Sequence, residues 1–312
     1  MRLGTRGSLL ARAQSQHVAD ALRQRHPHVQ VELCIIRTAG DRVSDRPLHH
    51  IGGKGLFVRE LEQALLDGEI DFAVHSLKDM PALADDRAGG ALVVAAVPPR
   101  ADARDALVSA GCRRLADLPA GARVATGSLR RRCQLLSARP DLHVEPLRGN
   151  IDTRLRRLRE GRFDAVILAL AGLLRAGLFD ERIMTPIDPA EMLPAAGQGA
   201  LCVQCRADRA DVRSLLAELN DPDTALCTNL ERRVVRMLGG DCTSPLAVLA
   251  TLCGDVLWLR AAVGHRGGLP PVLRAEARGS PRDAEALAQR VAGELSDRGA
   301  LAMLRPDAAG EP

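Results

Sequence analysis

Gly127-Ser128-Leu129-Arg130-Arg131-Arg132-Cys133-Gln134 repeats Gly7-Ser8-Leu9-Leu10-Ala11-Arg12-Ala13-Gln14 at its Gly, Ser, Leu, Arg and Gln positions. Each copy follows a short apolar run, so each reads as a Gly-Ser turn that opens a helix after a strand. The free N–H groups of such a helix start attract an anion. A second echo lies further on: Gly161-Arg162-Phe163-Asp164 ahead of Ala165-Val166-Ile167 matches Gly68-Glu69-Ile70-Asp71 ahead of Phe72-Ala73-Val74. The two echoes have different offsets, so an architecture recurs rather than a copied block. Two similar lobes with an anionic ligand between them are expected.

Working outward, Ser8 is placed to N-cap a helix through Leu10, Ala13, Val18 and Leu22 that Pro27 stops, and Val29, Val31, Leu33 and Ile35 alternate as a strand. Leu56 to Leu66 reads as a second helix and Phe72-Ala73-Val74 as a buried strand, an α/β pattern. Pro98-Pro99-Arg100-Ala101-Asp102 marks a crossing between lobes and Leu193-Pro194-Ala195-Ala196-Gly197 a second one, which predicts a hinge of paired strands. After Asp221-Pro222 come a helical stretch ending at Gly239-Gly240, β-like runs at Leu246 to Leu252 and Val256 to Val263, and a final helix near Asp283 to Leu295. That is a separate small α+β domain. The expected boundaries are 1–95 with 197–217 for the first lobe, 99–193 for the second and 219–312 for the third domain.

The chain's 312 residues, 46% of them hydrophobic, suffice for two or three domains. The N-terminus lacks an apolar leader and no run of about 18 apolar residues exists, so a cytoplasmic protein with no membrane partner is expected. Eight cysteines then read as reduced thiols. Cys202-Val203-Gln204-Cys205 has the spacing of a metal or redox pair, but its apolar neighbours read as a buried strand, and no metal is expected. Of the 43 basic residues only Lys54 and Lys78 are lysines, and Tyr is absent. In so arginine-rich a chain, those two positions read as places where a compact ammonium cannot be exchanged for a guanidinium. A net charge of +4 and 2% aromatic residues argue against nucleic acid as partner.

Arginines concentrate in the second lobe. Arg156, Arg157 and Arg159 read as a solvated helix face. Arg130, Arg131 and Arg148, beside turns at strand ends, read as ligand-binding, since crevices outside strand carboxyl ends hold ligands in open α/β sheets and guanidinium grips carboxylates bidentately. Asp79, after Lys78, is either a carboxylate that stabilises a developing cation or a turn and N-cap residue before Pro81. Cys242, behind Gly239-Gly240-Asp241, is either a nucleophile or an inert buried thiol.

Taken in order, Thr5-Arg6-x-Ser8, Gly52-Gly53-Lys54-Gly55-Leu56-Phe57, His75-Ser76-Leu77-Lys78-Asp79, Ser128-Leu129-Arg130-Arg131, Arg148-Gly149-Asn150, Leu193-Pro194-Ala195-Ala196-Gly197-Gln198-Gly199 and the Gly-Gly-x-Cys242 loop resemble the motif series of the porphobilinogen deaminase (hydroxymethylbilane synthase) family, from residue 3 to about residue 250. The resemblance implies two lobes of the type II periplasmic-binding fold plus a small C-terminal α+β domain. It implies a monomeric transferase of haem biosynthesis that condenses four porphobilinogen molecules into a linear tetrapyrrole, and a dipyrromethane cofactor attached through Cys242. It assigns catalysis to Asp79 and Lys78. Cofactor and substrate binding fall to Arg6, Ser8, Lys54, Phe57, Ser76, Thr126, Ser128, Arg130, Arg131, Arg148, Arg154, Arg175 and Gln198.

Two positions depart from that pattern. Gly127 stands where the family usually has Ser, which removes a hydroxyl donor. Asp241 stands where it often has Gly, which sets a carboxylate beside the attachment thiol and is expected to raise its pKa. The rival reading of the two-lobed pattern is a non-catalytic anion-binding module of the periplasmic-binding type, which has no use for Asp79 or Cys242.

Overall fold

In the computed structural model, which describes residues 1–37, 58–82, 89–241 and 243–305, the first strand β1 (Arg2–Thr5) runs parallel to β2 (Glu32–Ile35) and β3 (Phe72–Ser76). Its sheet has the order β2-β1-β3-β10-β4, completed by β4 (Leu92–Ala96) and by β10 (Leu201–Arg206), which lies antiparallel between β3 and β4. The second sheet repeats this plan. Its order is β7-β6-β8-β5-β9, with β6 (Arg123–Ala125) parallel to β7 (His143–Glu145) and β8 (Ala165–Ala169), and with β5 (Asp105–Val108) antiparallel between β8 and β9 (Met184–Pro186). In each lobe the antiparallel strand is the one that has just crossed from the other lobe. The chain therefore crosses twice and interlocks the lobes, the arrangement expected of type II periplasmic-binding lobes.

The echoed segments occupy equivalent places. Ser8 caps the helix Leu9–Arg25 by accepting from Ala11 N at 3.3 Å, and Ser128 caps Leu129–Ala138 by accepting from Arg131 N at 3.4 Å. Before β3, Gly68 turns with φ of 69°, and Asp71 accepts from Arg2 N at 2.6 Å. Before β8, Gly161 turns with φ of 71°, and Asp164 accepts from Arg123 N at 2.7 Å. Both turns need the left-handed conformation that glycine adopts without steric penalty. The repeated sequence thus encodes a repeated clamp between neighbouring strands.

β10 buries Cys202 and Cys205 in separate apolar clusters, the strand reading of that pair. β2 begins at Glu32 rather than Val29, because Val29 N turns back to His26 O at 2.9 Å. The hinge also departs from the expectation of paired strands. Between its two segments the backbone bond is Ala101 N to Gly199 O at 3.2 Å, and Gln198 adds a side-chain bond to Ala103 O at 2.8 Å. Pro98, Pro99 and Pro194 have no N–H to give a ladder.

The third unit is an antiparallel sheet of β11 (Leu246–Cys253), β12 (Val256–Val263) and β13 (Leu273–Gly279). Leu246, Val248 and Ala250 face the helices Pro222–Met237 and Ala284–Asp297, whereas Ala247 and Leu249 pack with Leu193 and Ala103 of the hinge. This alternation seats the sheet on the hinge and carries the loop before β11 to the cleft. β13 and the short helix Ala300–Leu304 had no counterpart in the sequence reading.

Candidate active site

Lys78 and Asp79 sit in a single turn, Leu77–Asp79, closed by Met80 N to Leu77 O at 3.2 Å directly after β3. Leu77 is buried below the turn and Asp79 is exposed on the cleft side. The Asp79 carboxylate makes no hydrogen bond to a described residue, so the N-cap role has no bond to support it. Lys78 Nζ lies 3.4 Å from Gln198 Oε1. Burial pushes its pKa down to about 8, with Asp79 pulling in the opposite direction. From the third domain, Arg232 donates to Met80 O at 3.1 Å and Pro81 O at 2.6 Å, holding the carbonyls that follow Asp79. His75 is neutral and structural: burial pushes its pKa down to about 4, and Nε2 meets Gln204 Oε1 at 3.1 Å.

Across the cleft, Arg130 and Arg131 are buried, and both engage Asp105 at the start of β5. Arg130 Nη1 is 2.8 Å from Oδ2, and Arg131 donates to Oδ1 through Nε at 3.1 Å and Nη2 at 2.7 Å. Gln198 Nε2 adds a bond to the same Oδ1 at 2.9 Å. Burial alone would raise the Asp105 pKa, but the two guanidinium groups outweigh it and hold the carboxyl well below the usual carboxylate range. The two guanidinium groups and the one carboxylate form a floor whose charge is offset only in part, with Arg130 also donating to Leu193 O and Arg131 to Ile167 O.

Arg148 and Arg154 are different. Neither has a described carboxylate within ion-pair distance; Arg154 Nε donates to Gly149 O at 2.8 Å. Burial pushes Arg154 down to about 10, the neighbouring Arg131, Arg148 and Arg157 push the same way, and Asp79 opposes them. Burial also lowers Arg148. These guanidinium groups, with Lys78, Asp79, Thr126, Ser128 and Gln198, line a cavity of about 760 Å³ between the lobes, within the range of small-molecule sites. Asp241, Thr243 and Ser244 of the third domain close its side. The Asp241 carboxylate is occupied by Thr243 N at 2.9 Å, Thr243 Oγ1 at 2.7 Å and Ser244 Oγ at 2.9 Å, bonds that hold its pKa down against burial.

Lys54, Phe57 and Cys242 lie outside the described residues. Arg6, Ser8, Ser76 and Arg175 lie outside the described lining of the cavity. Ser76 hydroxyl is held by Gln14 at 3.0 Å, and Arg175 donates to Gly199 O at 2.8 Å on the hinge. The solvated-face reading of Arg157 is corrected: it lines the cleft and its Nη1 donates to Arg148 O at 3.3 Å, because residues three apart on the helix Ile151–Arg159 bring it onto the Arg154 face. Asp105 and Arg232 were missed. Asp105 carried one signal, a charge opening the apolar run Ala106-Leu107-Val108. Arg232 carried none that sets it apart from Arg233 beside it.

Fold and site define a two-lobed α/β protein whose basic cleft, closed on one side by a third domain, holds the exposed Asp79 carboxylate among several arginines. The chain belongs to the porphobilinogen deaminase family. The family described as "Porphobilinogen deaminase, dipyromethane cofactor binding domain" matches residues 1–214, and "Porphobilinogen deaminase, C-terminal domain" matches residues 225–297. A porphobilinogen deaminase of Chromobacterium violaceum is 50% identical over 302 residues, 97% of this chain and 96% of the relative. One of Bordetella parapertussis is 50% identical over 304 residues, 97% and 95% respectively. Among solved structures, a nutrient binding protein from Burkholderia cenocepacia bound to methionine aligns with TM-score 0.43 at 16% identity, covering 72% of this chain and 93% of that one.

Proposed function

We propose that this protein is a hydroxymethylbilane synthase, a cytoplasmic, monomeric transferase that deaminates four porphobilinogen molecules and joins them head to tail. The observation that carries this reading is the meeting, in one cleft, of the exposed Asp79 carboxylate with Arg148 and Arg154, which lack a described counter-carboxylate. The same groups fit a dipyrromethane: its acetate and propionate arms would meet the guanidinium groups of Arg148 and Arg154 above the Arg130–Asp105–Arg131 floor, and Cys242 would anchor it. When bound, the cofactor supplies the ring carbon to which the first unit joins.

The chain's own residues do the rest. Porphobilinogen loses its aminomethyl nitrogen as ammonia, and the positive charge left on the pyrrole needs an anion at close range. Asp79 supplies it from a turn braced by Arg232, with no competing hydrogen bond to a described residue. Lys78, with its pKa near 8, holds a proton at Nζ beside that carboxylate and is suited to pass it to the departing amine. The division into 1–95 with 197–217, 99–193 and 219–312 belongs to this reading and is supported by the three separate sheets.

Intact mass of the protein as purified tests the proposal. The wild type is expected to carry two porphobilinogen units less their amines and to give the aldehyde colour reaction of dipyrroles. Cys242→Ser is expected to lack both, because a hydroxyl is a far poorer nucleophile than a thiolate. Retention of both by the variant would move the anchor to another cysteine.

A further inference from the structure

We infer that Arg157 is a carboxylate-binding residue that serves the lengthening chain rather than the first condensation. This rests on the function proposed above. On the helix Ile151–Arg159, Arg154 and Arg157 share a face and are about 4.5 Å apart along the axis, three residues at 1.5 Å each. Both line the cleft, and both are tied to the same turn: Arg154 to Gly149 O at 2.8 Å and Arg157 to Arg148 O at 3.3 Å. Each tie uses one N–H of a five-donor guanidinium and leaves a pair for a carboxylate.

The neighbouring arginines show what sets Arg157 apart. Arg156 turns outward to Glu160 at 3.6 Å, and Arg130 and Arg131 share Asp105, whereas Arg157 has no described carboxylate within ion-pair distance. Arg154 already feels the Asp79 charge, and Arg157 lies three residues further along the same helix. Each added pyrrole brings an acetate and a propionate. If the reacting end stays at Asp79, earlier rings are displaced and their carboxylates need cations further along. Arg157 is a cleft guanidinium on the same helix face as Arg154, and its partial desolvation makes an incoming carboxylate a better partner there than at the exposed Arg156.

The test uses full-length holoenzyme given limiting and then excess porphobilinogen, with intact mass read at each stage. Arg157→Leu is expected to load cofactor and add the first unit at the wild-type rate. Species with two or three added units should then accumulate, with turnover down about tenfold, the loss of roughly one charge-assisted hydrogen bond. Arg157→Lys, which keeps the charge, should restore most of the wild-type distribution. Arg157→Gln repeats the test with a polar side chain should the Leu variant fold poorly. A wild-type distribution and rate in both neutral variants overturns the inference, as does a block already at cofactor loading or the first addition. Wild-type protein that neither carries nor gains pyrrole mass overturns the proposed function itself, a result read independently of any variant.

Discussion

At the scale of single residues, Lys78 and Asp79 are adjacent in sequence and opposite in situation: the lysine is drawn under the hinge toward Gln198, and the carboxylate stands exposed to the cleft. If Asp79 acts by its charge, Asp79→Asn, with almost the same volume, should bind substrate and be nearly inactive. Asp79→Glu, misplacing the charge by about 1 Å, should retain a residual rate roughly 100-fold down. A turn or cap role predicts the reverse, since Asn caps well; initial rates of uroporphyrinogen formation decide, and an Asn variant within about tenfold of wild type removes Asp79 from the mechanism. Lys78 makes a pH prediction. Its pKa is lowered in the fold to about 8 from 10.5, so between those values the unfolded chain binds the extra proton and this group's contribution to stability rises with pH. Activity should move the other way: if the ammonium donates the proton, kcat/KM falls as pH rises through about 8. Lys78→Arg should be slower at neutral pH and lack that limb.

At the scale of elements, the most legible features were those with a local cause. Ser8 caps the helix it was read to cap, Ser128 caps the helix that its Gly-Ser turn was read to open, and the Gly-x-x-Asp turns before β3 and β8 make matching bonds because identical local chemistry recurs. β13 was illegible because its inward residues are Ala275 and Ala277, too small to raise an apolar alternation between Arg274, Glu276 and Arg278. The Arg157 error had the same root: a helix read alone has no outside, and only the turn at Arg148-Gly149 defines which face meets the cleft. The motifs located the cleft, but not the fact that Arg130 and Arg131 share one buried carboxylate, since Asp105 is 25 residues away from Arg130 in sequence. Gly127 is a case where the departure from the family pattern has a packing reason in this chain. A Cβ there would lie 2.8 Å from Leu147 O, so the hydroxyl donor has no room without moving the strand-to-helix turn. Gly127→Ser should therefore destabilise by about 1–3 kcal/mol, as overpacking does, read as a lower urea midpoint at unchanged slope. An unchanged midpoint would show that the turn relaxes freely.

At the scale of the whole molecule, one fully buried carboxylate joins parts that the chain separates by long intervals. Glu231, on the third-domain helix Pro222–Met237, pairs with Arg100 of the first crossing at 2.6 and 3.1 Å, accepts from Gly197 N of the second crossing at 2.6 Å, and accepts from Ala250 N of β11 at 2.9 Å. A charge this far from water is tolerable only because every bond to it is made. The same helix carries Arg232, which holds the carbonyls after Asp79, so the latch fixes the third domain on the hinge and through it the catalytic turn. Glu231→Gln keeps the shape but removes the charge, leaving Arg100 partly buried without its counter-ion, and should cost about 3–5 kcal/mol, the range for breaking one side of a buried pair. The consequence should be spread across domains: faster amide exchange at both Gly197 and Ala250, and a lower kcat, although residue 231 does not line the cleft. Arg100→Met in the Glu231→Gln background tests whether the cost is the orphaned cation. Because the two residues are in direct contact, the double variant should recover part of the stability lost by the single one. If it instead loses the sum of both effects, Arg100 and Glu231 act independently and the buried pair is not what ties the third domain to the hinge.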